Sequence, residues 1–467
     1  MSQELKHLFY PESIAVIGAS HSPADVGYRI LENLVGYGYK GRVYPVNPAA
    51  EEIMGLECYP SVSTVPGKVD VAIVGVPAEK AIEAVEDAGK AGAKFAVVIS
   101  SGFKEIGNVE LERRLVEAAR RHGVRVLGPN VFGYVYTPSR INASLGPCDV
   151  IPGSVAILSQ SGVLGMALMG YTVPQSVGVS AIVSLGSKSD LGDEEFLEFF
   201  EEDPNTKAML IYLEGVEDGK RFMRTASKVS LSKPIVAIKA GRTEAGARAV
   251  ASHTGSLAGA ATIWSTALKQ SGVLQVNSIE EAFDYVKSLA WNPLPRGSSM
   301  LVLTNGGGAG VQAADTLAEQ GILLREPPAD IVRELKAFLP RFASLRNPID
   351  MTGQAPEDFY YRALKAILKH KDVDSVLVLY CETSVADPRS VAERVLEAVE
   401  EAEKEGASKP VSVGMVGGRK VEEAINFLNE HNIPAYPTPE RAAAALAAPY
   451  KYLALRDYVS SRLRFLR

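Results

Sequence analysis

The chain has 467 residues, more than one hydrophobic core supports, because single cores stop growing near about 250 to 300 residues. With 46% hydrophobic and 22% charged residues the composition is that of an ordinary globular protein, and a net charge of -6 offers no basic footprint for nucleic acid. Cys58, Cys148 and Cys381 are far apart and lack CxxC spacing, which argues against a disulfide framework or a metal site and fits a reducing compartment. The first residues, "MSQELKHLFYPES", are charged, and no apolar run of about 18 residues follows. A cytoplasmic protein without a membrane partner is expected.

In chain order, short β-branched runs alternate with Gly/Ser turns and helical patterns, the grammar of parallel βα units, so the fold class is α/β throughout. "SIAVIGAS", "GRVYPVNP", "VDVAIVGVP", "KFAVVISSGF" and "VRVLGPN" predict the strands of a Rossmann-like domain over residues 1–130. Residues 131–152 bring prolines and glycines without sustained periodicity and read as a linker. A second domain over 153–291 is expected from "SVAILSQSG", "VSAIVSLGS", "AMLIYLEG" and "PIVAIKAG", and a proline-rich linker at 292–298 leads to a third domain over 299–467 with "SMLVLTNGGGAG", "DSVLVLYCET" and "VSVGMVGG". The second and third segments open and close alike, which predicts two flavodoxin-like domains with parallel sheets.

Four places in this pattern carry chemistry. The turn Gly18, Ala19, Ser20 joins the first strand to the first helix, where open α/β sheets bind phosphates. Gly18 and Gly27 are too far apart for GxGxxG, and the second strand ends in "NP" without an acidic ribose clamp, so NAD is disfavoured. A diphosphate nucleotide such as coenzyme A, or a plain structural turn, remains; Pro77, Ser100, Ser101 and Gly102 end later strands on the same edge. "SQSG", Ser159, Gln160, Ser161 and Gly162, and "NGGGAG", Asn305, Gly306, Gly307, Gly308, Ala309 and Gly310, are helix starts dense in small residues, able to hold a phosphate on free amides and the helix dipole.

His253 lies in "AVASHTGSLAGAAT", within a stretch about half Gly and Ala that cannot build a core. A neutral imidazole is a competent nucleophile towards phosphorus when an acceptor fixes its tautomer. Glu214, ending "AMLIYLEG", stands on the rim where such a carboxylate would act.

With "SHTGSLAG", "SQSG", "GPN" and "TNGGGAG" on the page, the whole chain resembles the α subunits of ADP-forming acetyl-CoA synthetases, in the superfamily of succinyl-CoA synthetase. That resemblance implies a CoA-binding Rossmann-like domain followed by two ligase domains. It also implies phosphorylation of His253 with Glu214 as its partner, CoA and phosphate as substrates, and an acyl phosphate intermediate. No ATP-grasp segment occurs, so the family pattern implies a separate ATP-grasp β subunit holding ADP or ATP and Mg2+, in an α2β2 assembly acting on a small carboxylic acid. Ala49 and Ala50 stand where relatives often carry a basic residue after the "NP". Rival readings are a succinyl-CoA ligase α subunit, whose chain stops after two domains, and a CoA-responsive regulatory protein.

Overall fold

The computed structural model describes residues 2–254 and 261–465, with the main chain alone at 2 and 250–254. It divides into two compact units, Met1–Asn277 and Ser278–Arg467.

The first unit opens with β1 (Ser13–Ile17), β2 (Arg42–Val46), a small hairpin of β3 (Glu52–Ile53) and β4 (Leu56–Glu57), then β5 (Val71–Val74), β6 (Phe95–Val98) and β7 (Arg125–Leu127). The five longer strands form a parallel sheet in the order β2-β1-β5-β6-β7. Their apolar runs are continuous because helices α1 (Ser2–Phe9), α2 (Val26–Gly36), α3 (Ala78–Lys90) and α4 (Val109–Arg121) accompany both faces. Ile14 and Val16 join Ile30 and Leu34 of α2 in one core layer. Ala15 and Ile17 join Ala81 and Val85 of α3 in the other.

A second sheet follows, built from β8 (Gly133–Tyr136), β9 (Ile141–Ser144), β10 (Pro152–Ser159), β11 (Val179–Ser184), β12 (Ala208–Leu213), β13 (Ile235–Lys239) and β14 (Val273–Val276). Its order is β14-β13-β12-β10-β11-β8-β9, with β10 to β14 parallel and β8 and β9 antiparallel. Its helices are α5 (Gly162–Tyr171), α6 (Asp193–Glu202), α7 (Gly219–Val229), α8 (Glu244–Thr254) and α9 (Ala261–Gln270). Residues 131–152, expected as linker, thus supply two strands of this sheet. "GYVY" and "INAS" are buried at every position, so no alternation marks them in sequence. The Tyr134 hydroxyl donates to Leu8 O at 2.8 Å and that of Tyr136 to Asp203 Oδ1 at 3.1 Å, tying the hairpin to neighbouring helices.

The second unit holds α10 (Ile279–Trp291), then β15 (Met300–Thr304), β16 (Ile349–Asp350), β17 (Ser375–Cys381), β18 (Val411–Val416) and β19 (Ala435–Tyr436) in the parallel order β16-β15-β17-β18-β19. Around them lie α11 (Gly307–Glu319), α12 (Ala329–Lys336), α13 (Glu357–Lys369), α14 (Pro388–Lys404), α15 (Arg419–Glu430) and α16 (Pro439–Phe465). Helix α10 was expected to close the domain at 153–291, yet it packs in this unit. Asp284 receives Arg441 of α16 at 2.8 and 2.7 Å, and Tyr436 of β19 donates to Asp284 O at 3.1 Å. Among the described residues no helix is long and apolar enough to cross a membrane.

Counted along the chain, the parallel strands of all three sheets have the order 2-1-3-4-5. Each winding reverses direction beside its first strand, which leaves a crevice at the carboxyl ends of the first and third strands. Gly18–Ser20, Ser159–Gly162 and Asn305–Gly310 follow the first parallel strand of their sheets, Pro77 and Glu214 follow the third of theirs, and Ser100–Gly102 follow the fourth strand of the first sheet.

Candidate active site

At the first crevice Gly18 leaves β1 with φ of 88°, a conformation that favours glycine. A Cβ on Gly27 would lie 2.0 Å from Gly18 O, so α2 starts pressed against the turn. The amides of Gly18 and Ala19 both donate to Val46 O, at 3.0 and 3.3 Å, and Asn47 Nδ2 donates to Ala19 O at 2.7 Å. The turn is therefore rigid, and its own first amides are spent. Donors for a diphosphate remain in the first turn of α2, whose Asp25 N-cap makes no side-chain cap bond. Asp25 instead accepts from Ser20 Oγ at 2.6 Å. Pro77 is the N-cap of α3, and the Ser100 hydroxyl reaches Val76 O beside it. Gly102 gives its amide to Glu105, while Ser101 stays exposed. The structure brings Gly18 and the β5 turn into contact, since a Cβ on Gly18 would meet Gly75 O at 2.8 Å.

The second crevice is organised by Gln160. Its Oε1 accepts the amides of Glu214 and Gly215, at 2.7 and 3.0 Å, and its Nε2 donates to both oxygens of Asp193, at 3.1 and 3.0 Å. Lys188 Nζ holds the same Asp193 at 2.8 Å and Gly215 O at 2.7 Å. Ser159 Oγ donates to Ser161 O at 2.8 Å, and Ser161 caps α5 by accepting the Leu164 amide. The space around a Cβ at Gly162 is open to 4 Å. The helix start thus faces a gap with its dipole and amides.

The third crevice repeats this plan. Thr304 Oγ1 donates to Gly306 O at 3.0 Å, and Asn305 exchanges two bonds with the end of β17, accepting from Cys381 N at 2.7 Å and donating to Cys381 O at 2.9 Å. Gly306 caps α11 without a side chain, and Gly308 faces open space. Asp350 approaches Gly307, where a Cβ would sit 3.0 Å from Oδ2. Burial, and after it the charge of Asp350, raise the pKa of the Cys381 thiol. Gly307, Gly308 and Ala309 form the first turn of α11, and Gly310 packs where a Cβ would meet Pro348 at 3.2 Å.

Glu214 directly follows β12 and is 8% exposed, and its carboxylate makes no hydrogen bond among the described residues. Lys239, at the end of the adjacent β13, donates to Glu214 O at 2.8 Å and lies 4.7 Å from the Trp264 ring centroid. Burial lowers its pKa to about 8, against the opposing pull of Glu214. His253 falls in α8, near its carboxyl end, and its side chain and residues 255–260 lie outside the described residues. Lys239, Asp193, Lys188 and Asp350 escaped the sequence reading. Lys239 ends an apolar run, "PIVAIK", where a lysine reads as a solvated strand end. Among the described residues, no group of three or more His, Cys, Asp or Glu side chains is placed to hold a metal ion.

Comparison with known proteins follows this three-part plan. The family described as CoA binding domain matches residues 12–137, the succinyl-CoA ligase like flavodoxin domain residues 152–289, and the Ligase-CoA domain residues 300–459. The α subunit of acetate–CoA ligase (ADP-forming) I from Pyrococcus furiosus is 50% identical over 96% of this chain and 97% of its own. The chain belongs to the ADP-forming acetate–CoA ligases, as an α subunit. It is a ligase with an amino-terminal CoA-binding domain, and its class of subunit has a β partner. A solved relative, the dinucleotide-forming acetyl-coenzyme A synthetase 1 of Ca. Korarchaeum cryptofilum in complex with phosphate and ADP, superposes with a TM-score of 0.97 at 57% identity, covering 99% of both chains. In Archaeoglobus fulgidus, acetate–CoA ligase (ADP-forming) I is 40% identical, and this chain covers 96% of itself but 64% of that protein.

Proposed function

We propose that this chain, with an ATP-grasp β subunit in an α2β2 assembly in the cytoplasm, converts acyl-CoA, ADP and phosphate reversibly to a carboxylic acid, ATP and CoA. The repeated helix-start clamp, with the buried carboxylate of Glu214 beside one copy, carries this reading. Each helix start, at Ser161–Gly162 and at Gly306–Ala309, offers inorganic phosphate first-turn amides and a dipole that favours its charge. A phosphate oxygen attacks the thioester carbon, the C–S bond breaks, and the CoA thiolate leaves and takes up a proton. His253 then attacks the phosphorus of the acyl phosphate through one ring nitrogen, the P–O bond to the acyl group breaks, and the carboxylate departs. Glu214 accepts a hydrogen bond from the N–H of the other ring nitrogen, fixing the tautomer and offsetting the positive charge that develops. The phosphohistidine segment delivers its phosphoryl group to the β-phosphate oxygen of ADP, and the P–N bond breaks. ADP and Mg2+ belong to the partner's site in this scheme.

The poverty of large side chains between Ala240 and Thr262 suits a segment that visits two sites. CoA lies at the first crevice, against the turn Gly18–Ser20 and the strand ends at Pro77 and Ser100–Gly102. The acid is a small one, acetate being the first to try, since relatives carry that name. The test is an assay of the chain with its β partner, acetyl-CoA, ADP and phosphate. Equal yields of ATP and free CoA, each requiring phosphate, are expected. Release of CoA without ATP, or without need of phosphate, would overturn the proposal.

A further inference from the structure

Lys239 closes β13 at a place where the fold does not ask for a charge. Strand register sets Ser159 beside Tyr212 and Leu213 beside Lys239 in the second sheet, and Thr304 beside Leu379 and Tyr380 beside Met415 in the third. Counted from these pairs, Glu214 and Cys381 hold one topological position, and Lys239 and Met415 hold another. Met415 is 1% exposed, so packing alone is satisfied there by an apolar side chain. Lys239 is 2% exposed, and removing its ammonium from water costs free energy that a methionine avoids. Each donor direction is used: Glu214 O, Ala240 O, and the face of Trp264.

These contacts select what is held. Glu214 is the carboxylate at the crevice, Ala240 is the residue from which the stretch carrying His253 departs, and Trp264 belongs to α9, on the far side of that stretch. We propose that Lys239 is a positioning residue for phosphoryl transfer to His253, locking the main chain of Glu214 and Ala240 in one relative setting while Trp264 shields the ammonium. It touches neither substrate nor the reacting atoms; it acts through Glu214. The inference rests on the reading of His253 as acceptor and Glu214 as its partner.

The experiment uses the chain complexed with its β partner and two single-turnover half-reactions, labelling from acyl-CoA with radioactive phosphate and labelling from radioactive ATP. Lys239→Met installs the residue that the third sheet already carries at this position. It should slow thioester-side labelling of His253 by tenfold or more and leave ATP-side labelling within twofold, because Glu214 serves only the former. Lys239→Arg, which keeps charge and donors, should recover much of the loss. Equal slowing of both half-reactions, or no slowing of either, would overturn the positioning role. Failure of the unsubstituted chain to label from either side would instead overturn the reading of His253 itself.

Discussion

In the turn after β10, a serine hydroxyl, a glutamine amide and a glycine-led helix meet the end of β12 at Glu214. In the turn after β15, a threonine, an asparagine and another glycine-led helix meet the end of β17 at Cys381. The shared parts are those the backbone needs. A hydroxyl closes the turn, an amide side chain satisfies the main chain of the third strand, and a glycine lets the helix lie against the strand end. The parts that differ are chemical. One crevice carries Glu214 and Lys239 where the other carries Cys381 and Met415. The common winding therefore builds two glycine-led helix starts, while only the second domain sets a carboxylate at the end of its third parallel strand and a buried lysine at the end of its fourth, which is an asymmetry expected if the phosphohistidine is made at that domain.

The largest effect should separate the two strand ends. Glu214→Gln removes the negative charge that offsets imidazolium and should slow thioester-side labelling about 100-fold, the lower range for a positioned acid or base. Cys381→Ser should change that rate by about twofold or less, so a large loss there would show that the third domain also supplies reacting groups. Next come the amide clamps. Gln160→Ala strands the amides of Glu214 and Gly215 and takes a donor from Asp193, whereas Asn305→Ala strands the amide and carbonyl of Cys381, at up to about 1–3 kcal/mol for each group left unsatisfied. Urea unfolding should rank Gln160→Ala as the more destabilising, and the reverse order would break the proposed equivalence.

Gly165 and Gly310 sharpen the packing half of the comparison. A Cβ at Gly165 would meet the Phe132 ring at 2.5 Å, whereas at Gly310 the nearest atom is 3.2 Å away. Overpacking of this kind costs about 1–3 kcal/mol, so Gly165→Ala should lower stability more than Gly310→Ala in the same measurement. The smallest effect concerns pH. Lys239 releases its proton at about 8 when folded, and an unfolded lysine releases it near about 10.4. Between those values the unfolded chain binds more protons, so this group makes stability rise with pH, and below about pH 8 its contribution is flat. Stability of the unsubstituted chain relative to Lys239→Met should therefore climb between pH 8 and pH 10, as read by urea midpoints. A flat difference would contradict a buried, depressed lysine.

Much of this was legible in the sequence because parallel βα units announce themselves through buried β-branched runs and small-residue turns. Ser159–Gly162 and Asn305–Gly310 stood out by composition alone. The hairpin at Gly133–Ser144 did not, because four-residue strands buried on both faces show no alternation. The packing of helix α10 is not legible either, because sequence order cannot show that Asp284 and Lys287 find their partners at Arg441 and Ala435. Lys239 was missed for a related reason, since its role depends on a strand register and on Trp264, both set by tertiary structure.

The central claim is that His253 carries the phosphoryl group between the two halves of the reaction. Incubate the chain and its β partner with radioactive ATP, and separately with acyl-CoA and radioactive phosphate, then map the label by mass spectrometry. An acid-labile, base-stable phosphate on His253 from both directions, absent in His253→Ala, is predicted. Label that persists in His253→Ala would contradict the account.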